Sequence, residues 1–178
     1  MDLMIDIETL GTKPDCVVVT FGAVKFNPHT NTTGPGMYLR LNADEQIARG
    51  RSVDDDTMHW WMAQPEEVRE EAIGDGTRCD IDDFVKQLNK FLVGVDAIWA
   101  QGPAFDMVIL ENLYHQWGYP QPWMYYQIRD SRTLFKVHGD PRIKGREGHH
   151  NALADCEYQA QGVQQIYRDL NIKPHWEK

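Results

Sequence analysis

Two acids interrupt an apolar stretch near the start of the chain, Leu3-Met4-Ile5-Asp6-Ile7-Glu8. A mostly apolar run of this length reads as a buried strand. Residues two apart on a strand project from the same face, so Asp6 and Glu8 stand side by side. An ionised carboxylate in such a place is costly unless something positive meets it. The inexpensive partner for clustered acids is a divalent metal ion. The chain must therefore fold so that further ligands converge on this strand, an arrangement that points to metal-dependent hydrolysis.

The rest of the composition narrows the setting. With 178 residues the chain is expected to form a single domain over 1–178, long enough for a sizeable core. A content of 25% charged and 42% hydrophobic residues excludes a fully disordered or collagen-like chain. No apolar run approaches the roughly 20 residues that span a bilayer. Asp2 and Asp6 stand where a signal peptide would be basic, so no membrane association and a cytoplasmic location are expected. Cys16, Cys79 and Cys156 are too far apart for a zinc site and odd in number, and read as small buried hydrophobes in a reducing compartment. The net charge of −9 argues against a broad grip on duplex DNA. It leaves room for chemistry on a few nucleotides where cations neutralise the site.

Along the chain, residues 2–8, 16–26 and 37–41 read as three strands of an antiparallel meander, with a turn at 27–31. A short helix is expected over 54–62 with an acidic first turn, and another turn or two over 66–73. Asp80 is the expected N-cap of a helix carrying Ile81, Phe84, Val85, Leu88, Phe91 and Leu92 at helical spacing. Residues 97–100 read as a buried strand, broken by Gly102-Pro103. The next helix carries Phe105, Val108, Ile109, Leu110, Leu113 and Trp117. Ile128 falls on a strand and Ser131 is the expected cap of a short helix. Residues 138–149 form a Gly-rich mobile loop. A last helix over 151–170 turns Leu153, Ala160, Val163, Ile166, Tyr167 and Leu170 inward. Strands first, then helices and strands in alternation, predict an α/β chain with a mixed sheet and helices on its faces.

Three more residues become candidates on this map. Asp106 sits in the first turn of a helix just past a strand, where open α/β folds place ligands; alone it reads first as an ordinary acid near a helix N-terminus. Asp155 lies in the last helix, five residues after His150. On one helix the two would diverge by about 140°. They converge only if His150 lies in the loop before it. Trp60 and Trp61 are adjacent and cannot both face the core, so one of them, or His59, is expected to flank the groove. Arg129 and Arg132 read as phosphate contacts or as ordinary surface charges.

Asp6-Ile7-Glu8-Thr9-Leu10-Gly11, Ala104-Phe105-Asp106 and His150 five residues before Asp155 occur in this order over nearly the whole chain. Together they resemble the DEDDh group of 3′→5′ exonucleases, which includes ribonuclease T, oligoribonuclease and proofreading subunits of bacterial DNA polymerases. Residues 99–106 and 129–134 look like small phage and bacterial exonucleases related to the mycobacterial exoribonuclease AS.

The resemblance implies a ribonuclease H-like five-stranded mixed sheet in the order 3-2-1-4-5, flanked by helices, in a protein of a bacterial or phage-infected cell. It implies that Asp6, Glu8, Asp106 and Asp155 bind two divalent cations, Mg²⁺ or Mn²⁺, with His150 as general base. The neighbouring His149 is the other candidate for that role. The Thr9 backbone would meet the 3′-OH, Leu10 would pack on the terminal base and Phe105 would stack on the penultimate one. The implied substrates are 3′ ends of single-stranded DNA or RNA, with DNA placed ahead, and the products are nucleoside 5′-monophosphates. Other readings are an exoribonuclease of RNA tails or short oligoribonucleotides, a proofreading subunit, and a catalytically silent nucleic-acid-binding module. A homodimer through the aromatic stretch 117–126 is a further expectation. Where many relatives carry Asn four residues before the third acid, this chain has Gly102, with Gln101 beside it.

Overall fold

The computed structural model, which describes residues 1–142 and 150–174, is organised around a five-stranded sheet in the order β3-β2-β1-β4-β5. The strands are β1 Asp2–Thr9, β2 Val18–Phe26, β3 Thr33–Arg40, β4 Ala97–Ala100 and β5 Ile128–Asp130. The first three form the expected antiparallel meander. On the other side of β1, β4 and β5 pair in parallel. This is the ribonuclease H-like order, and it makes β1 the central strand.

Helices α1 Ala43–Ala48, α2 Asp55–Met62 and α3 Glu66–Ile73 follow the meander, and α4 Ile81–Phe91 leads into β4. α5 Pro103–Gln116 lies between β4 and β5; α6 Ser131–His138 and α7 Ala152–Asp169 come last. Alternation along β1 separates two cores. Leu3, Ile5 and Ile7 pack with Phe84 and Leu88 of α4 and with Ile109, Leu110 and Leu113 of α5. Met4, Val24 and Trp99 face the other way, onto Phe135 of α6 and Cys156, Ala160, Val163 and Ile166 of α7. Asp6 and Glu8 share the parity of Met4 and so point to the α7 face. A third cluster, Leu10, Val17, Val19, Trp61 and Ala72, seats α2 and α3 near the C-terminal end of β1.

Several elements depart from the sequence expectation. β2 begins at Val18, because Cys16 instead bridges Ser52. β3 begins at Thr33 rather than Met37 and runs through Gly34-Pro35-Gly36; it is an edge strand, where a proline is tolerated. α1 has no counterpart in the sequence reading. Its N-cap is Asn42, whose side chain accepts from the Glu45 N–H. Asp80 stands at the N-cap of α4 but makes no cap with its side chain. It accepts from Asn42 Nδ2 instead, and Glu45 Oε2 takes the Ile81 N–H at 3.0 Å. Asp130, not Ser131, caps α6; the Ser131 hydroxyl donates to the Ala100 carbonyl. Val108 and Leu170 are exposed rather than inward. Of the aromatic stretch 117–126, Trp117 and Trp123 belong to the core, whereas Tyr125 and Tyr126 are exposed. Most of the Gly-rich segment, residues 143–149 with His149, lies outside the described residues. Cys16 and Cys156 are buried and Cys79 is partly buried; all three are free thiols. Among the described residues no helix is long and apolar enough to cross a membrane.

Candidate active site

A cleft of about 520 Å³ opens at the C-terminal ends of β1, β4 and β5, the edge where open α/β sheets hold ligands. Asp6, Glu8, Phe105, Asp106, His150 and Asp155 all line it. Five residues expected from widely separated segments thus meet, together with Phe105. One oxygen each from Asp6, Glu8 and Asp155 come within 4.8 Å of one another. Asp106 faces the same cleft without belonging to that closest trio.

Each side chain is delivered by a local feature of the fold. β1 pairs with β4 only along Asp2–Met4, which leaves the next ladder position on that side open. Asp106, in the first turn of α5, fills it: its Oδ1 accepts the Ile7 N–H at 3.3 Å. Asp155 depends on a glycine. Gly22 on β2 lies opposite Asp6, and a Cβ there would stand 2.2 Å from the Ala152 carbonyl carbon. Only a bare backbone at Gly22 lets the first turn of α7 lie against the sheet and carry Asp155 to β1. His150 sits just before the Asn151 cap of α7, as convergence required. Its N–H donates to Asp155 Oδ2 at 3.0 Å, and its backbone is left-handed with φ 67°.

The electrostatics are those of crowded acids. Burial above all, then the carboxylates of Asp155 and Asp106, pushes Glu8 up to about 8. Burial raises Asp106 to about 7, partly offset by its hydrogen bonds and by Arg132. Asp6 is pushed well above the ordinary carboxylate range by burial and then by Asp106 and Glu8. Gln159 Nε2 donates to Asp6 Oδ1 at 3.1 Å, and His150 Nδ1 stands 3.9 Å from Glu8 Oε1. Among the described residues no lysine or arginine ion-pairs with Asp6 or Glu8. A donor set of hard carboxylate oxygens, starved of positive charge, fits divalent ions such as Mg²⁺ or Mn²⁺. The Gln159 Oε1, buried without a partner in the same wall, fits a hydrated cation as well.

The adjacent tryptophans divide as their spacing demanded. Trp61 is 1% exposed and donates Nε1 to the Thr9 carbonyl at 2.9 Å. Trp60 is 41% exposed, with its ring edge-on to His150, centroids 4.8 Å apart. Leu10 does not line the cleft: its side chain packs with Val17, Val19 and Trp61. Thr9 is likewise buried, its hydroxyl donating to the Gly11 carbonyl. Arg132 does line the cleft, held by a 2.7 Å bond to the Gln101 carbonyl. Arg129 does not; it donates to the carbonyls of Tyr126 and Ile128. The sequence reading missed Gln159, Arg142 and Tyr158, which complete the wall. Gln159 stands four residues after Asp155, one turn along the same helix face, and that spacing was its signal.

Comparison with known proteins follows this geometry. Residues 1–167 match the model of the family described as 3'-5' exoribonuclease Rv2179c-like domain. Among solved structures, exonuclease X in complex with 5′ overhanging duplex DNA aligns at TM-score 0.56 and 16% identity, over 97% of this chain and 95% of that one. E. coli exonuclease I in complex with a 5cy-dA13 oligonucleotide aligns at TM-score 0.62 and 15% identity, over 94% of this chain and 40% of that one. The zinc ion bound form of the E. coli exonuclease I complex with single-stranded DNA aligns at TM-score 0.64 and 14% identity, with the same coverage. The chain therefore spans well under half of exonuclease I. At these identities the likeness is one of fold. No curated protein matches the chain in sequence.

Proposed function

Because the chain belongs to the family of Rv2179c-like 3′-5′ exoribonuclease domains, a nuclease family, we propose that it releases nucleoside 5′-monophosphates one at a time from the 3′ end of single-stranded nucleic acid, by two-cation catalysis with His150 as general base. The observation that carries this reading is the convergence of Asp6, Glu8, Asp106 and Asp155 with His150 in one cleft. When bound, two Mg²⁺ or Mn²⁺ ions neutralise the scissile phosphate and lower the pKa of the attacking water.

The chain's own residues do the rest. Asp6, Glu8, Asp106 and Asp155 hold the cations. The His150 imidazole takes the proton of the attacking water, a task suited to a ring nitrogen that can accept and pass on a proton. Trp60 limits the swing of that ring from one side, and the bond from the His150 N–H to Asp155 ties its backbone to the acids. Phe105, partly exposed at the cleft, offers a face for the penultimate base. The Thr9 backbone remains the group assigned to the 3′-OH.

The family description favours RNA over the DNA that the sequence reading placed first. The solved relatives of similar fold hold DNA. RNA preference is the second reading, and matched DNA and RNA oligonucleotides of one sequence, labelled at the 3′ end, decide between them. Faster loss of label from RNA establishes the exoribonuclease. Inertness of both strands in Mg²⁺ and in Mn²⁺ removes the nuclease reading and leaves the silent binding module.

A further inference from the structure

Resting on that reading, we infer that the outer face of α7 carries a second nucleic-acid subsite, a groove that receives the single strand upstream of its 3′ end. The groove has a volume of about 360 Å³. Arg142 and Tyr158 line both it and the acidic cleft, so the two are adjacent. From there Tyr158, Gln161, Gln165 and Arg168 recur every three or four residues, which places them on one stripe of the helix. From Tyr158 to Arg168 the stripe runs about 15 Å. That is roughly four times the 3.4 Å rise per nucleotide of a B-form strand.

The chemistry of this stripe is unlike that of the rest of the chain. The net charge is −9, yet among the described residues none that lines this groove is acidic. Its polar groups are carboxamides, the Tyr158 hydroxyl and two guanidiniums, of which that of Arg142 is ion-paired with Asp140 at 2.7 Å. Arg142 is firmly seated. Its stem rests where Gly162 has no side chain; a Cβ there would come within 3.1 Å of Arg142 Cγ. Its guanidinium lies 4.2 Å from the Phe135 ring and 5.8 Å from that of Tyr158, with Asp140 and Gln101 on its edge. At the far end Arg168 is fixed by bonds to Asn31 Oδ1 at 2.7 Å and Gln165 Oε1 at 2.6 Å. Guanidinium and amide donors suit phosphate oxygens, and a tyrosine ring offers a stacking face that accepts any base. An exonuclease that digests from the 3′ end must let the 5′ side of its strand leave the cleft. This groove adjoins the cleft, and its donors match that cargo.

The test compares substrates that differ in length. The double variant Gln161→Glu, Gln165→Glu places two negative charges on the stripe at positions outside the core, and Arg168→Gln removes its distal charge. The first measurement is the ratio of kcat/KM for a single-stranded octanucleotide to that for a dinucleotide. The second is the Kd of a 5′-labelled octanucleotide by fluorescence anisotropy. In the double variant the ratio is expected to fall about tenfold and the Kd to weaken by a similar factor, with a smaller change in the same direction for Arg168→Gln. A ratio and a Kd within about twofold of the parent protein in both variants overturn the subsite and leave the nuclease reading standing. Parent protein that cleaves neither length overturns the nuclease reading and this inference with it.

Discussion

Glu8 and Asp106 titrate near about 8 and about 7 in the folded protein, against ordinary values of 4.5 and 3.8. Both shifts are upward, so between those limits the metal-free folded chain holds more protons than the unfolded one. The stability these groups contribute is complete below about pH 4 and is lost as pH rises through about 7 to 8. Thermal unfolding in a chelator is expected to show a Tm that falls between pH 5 and pH 8. Saturating Mg²⁺ or Mn²⁺ should raise the Tm and flatten that slope; a chelated protein most stable at pH 8 would contradict the electrostatic account. Trp60 offers a second test at this scale. If its ring serves chiefly to position His150, Trp60→Ala lowers kcat about tenfold with little change in KM, and Trp60→Phe restores most of the loss. A change confined to KM would assign the ring to substrate binding instead.

Among elements, α7 does most to assemble the site, and it does so through Gly22. A methyl group there would collide with the Ala152 backbone at 2.2 Å. A backbone cannot rotate out of the way as a side chain can. Gly22→Ala is expected to lower Tm by roughly 2–12 °C, from an overpacking cost of about 1–3 kcal/mol in a chain of this size. Activity should fall with it, because Asp155 moves when α7 lifts. A variant with unchanged Tm and unchanged rate would show that α7 does not rely on this close approach. The same elements show what a sequence reveals. β1 announces itself as an apolar run, and α4, α5 and α7 by periodicity, because each of these helices buries a continuous stripe. β3 hid its first half behind Gly34-Pro35-Gly36, residues that deny a strand in general and are tolerated only at an edge, and edge position is a property of the sheet. α1 has six residues and a side-chain cap, too short for a stripe to register. Glu45 takes the Ile81 N–H of α4 because of where a neighbouring segment passes, and that is settled by tertiary packing, whereas Asp130 caps α6 locally, one residue before the expected Ser131.

At the scale of the whole molecule, order and spacing singled out five candidate residues, and the fold brings all five to one cleft. Their surroundings were not singled out. Arg142 reaches the cleft through the notch at Gly162, and Trp60 meets His150 because the third core cluster holds Trp61 inward. These are consequences of distant segments closing together, which no local pattern encodes. The fold as a whole converts a segment that would be unstable by itself, two acids in an apolar strand, into the floor of a cleft. Asp6, Glu8, Asp106 and Asp155 are gathered at one sheet edge, while among the described residues no acid lines the groove beyond. The most direct test of this arrangement follows single-stranded oligonucleotides labelled at the 3′ end, in Mg²⁺ or Mn²⁺, with Asp6→Asn beside the parent protein. The account predicts stepwise release of nucleoside 5′-monophosphates from the 3′ end, abolished by chelator and reduced at least about a thousandfold in Asp6→Asn. Release that continues unchanged in that variant, or cleavage that begins within the strand, would contradict it.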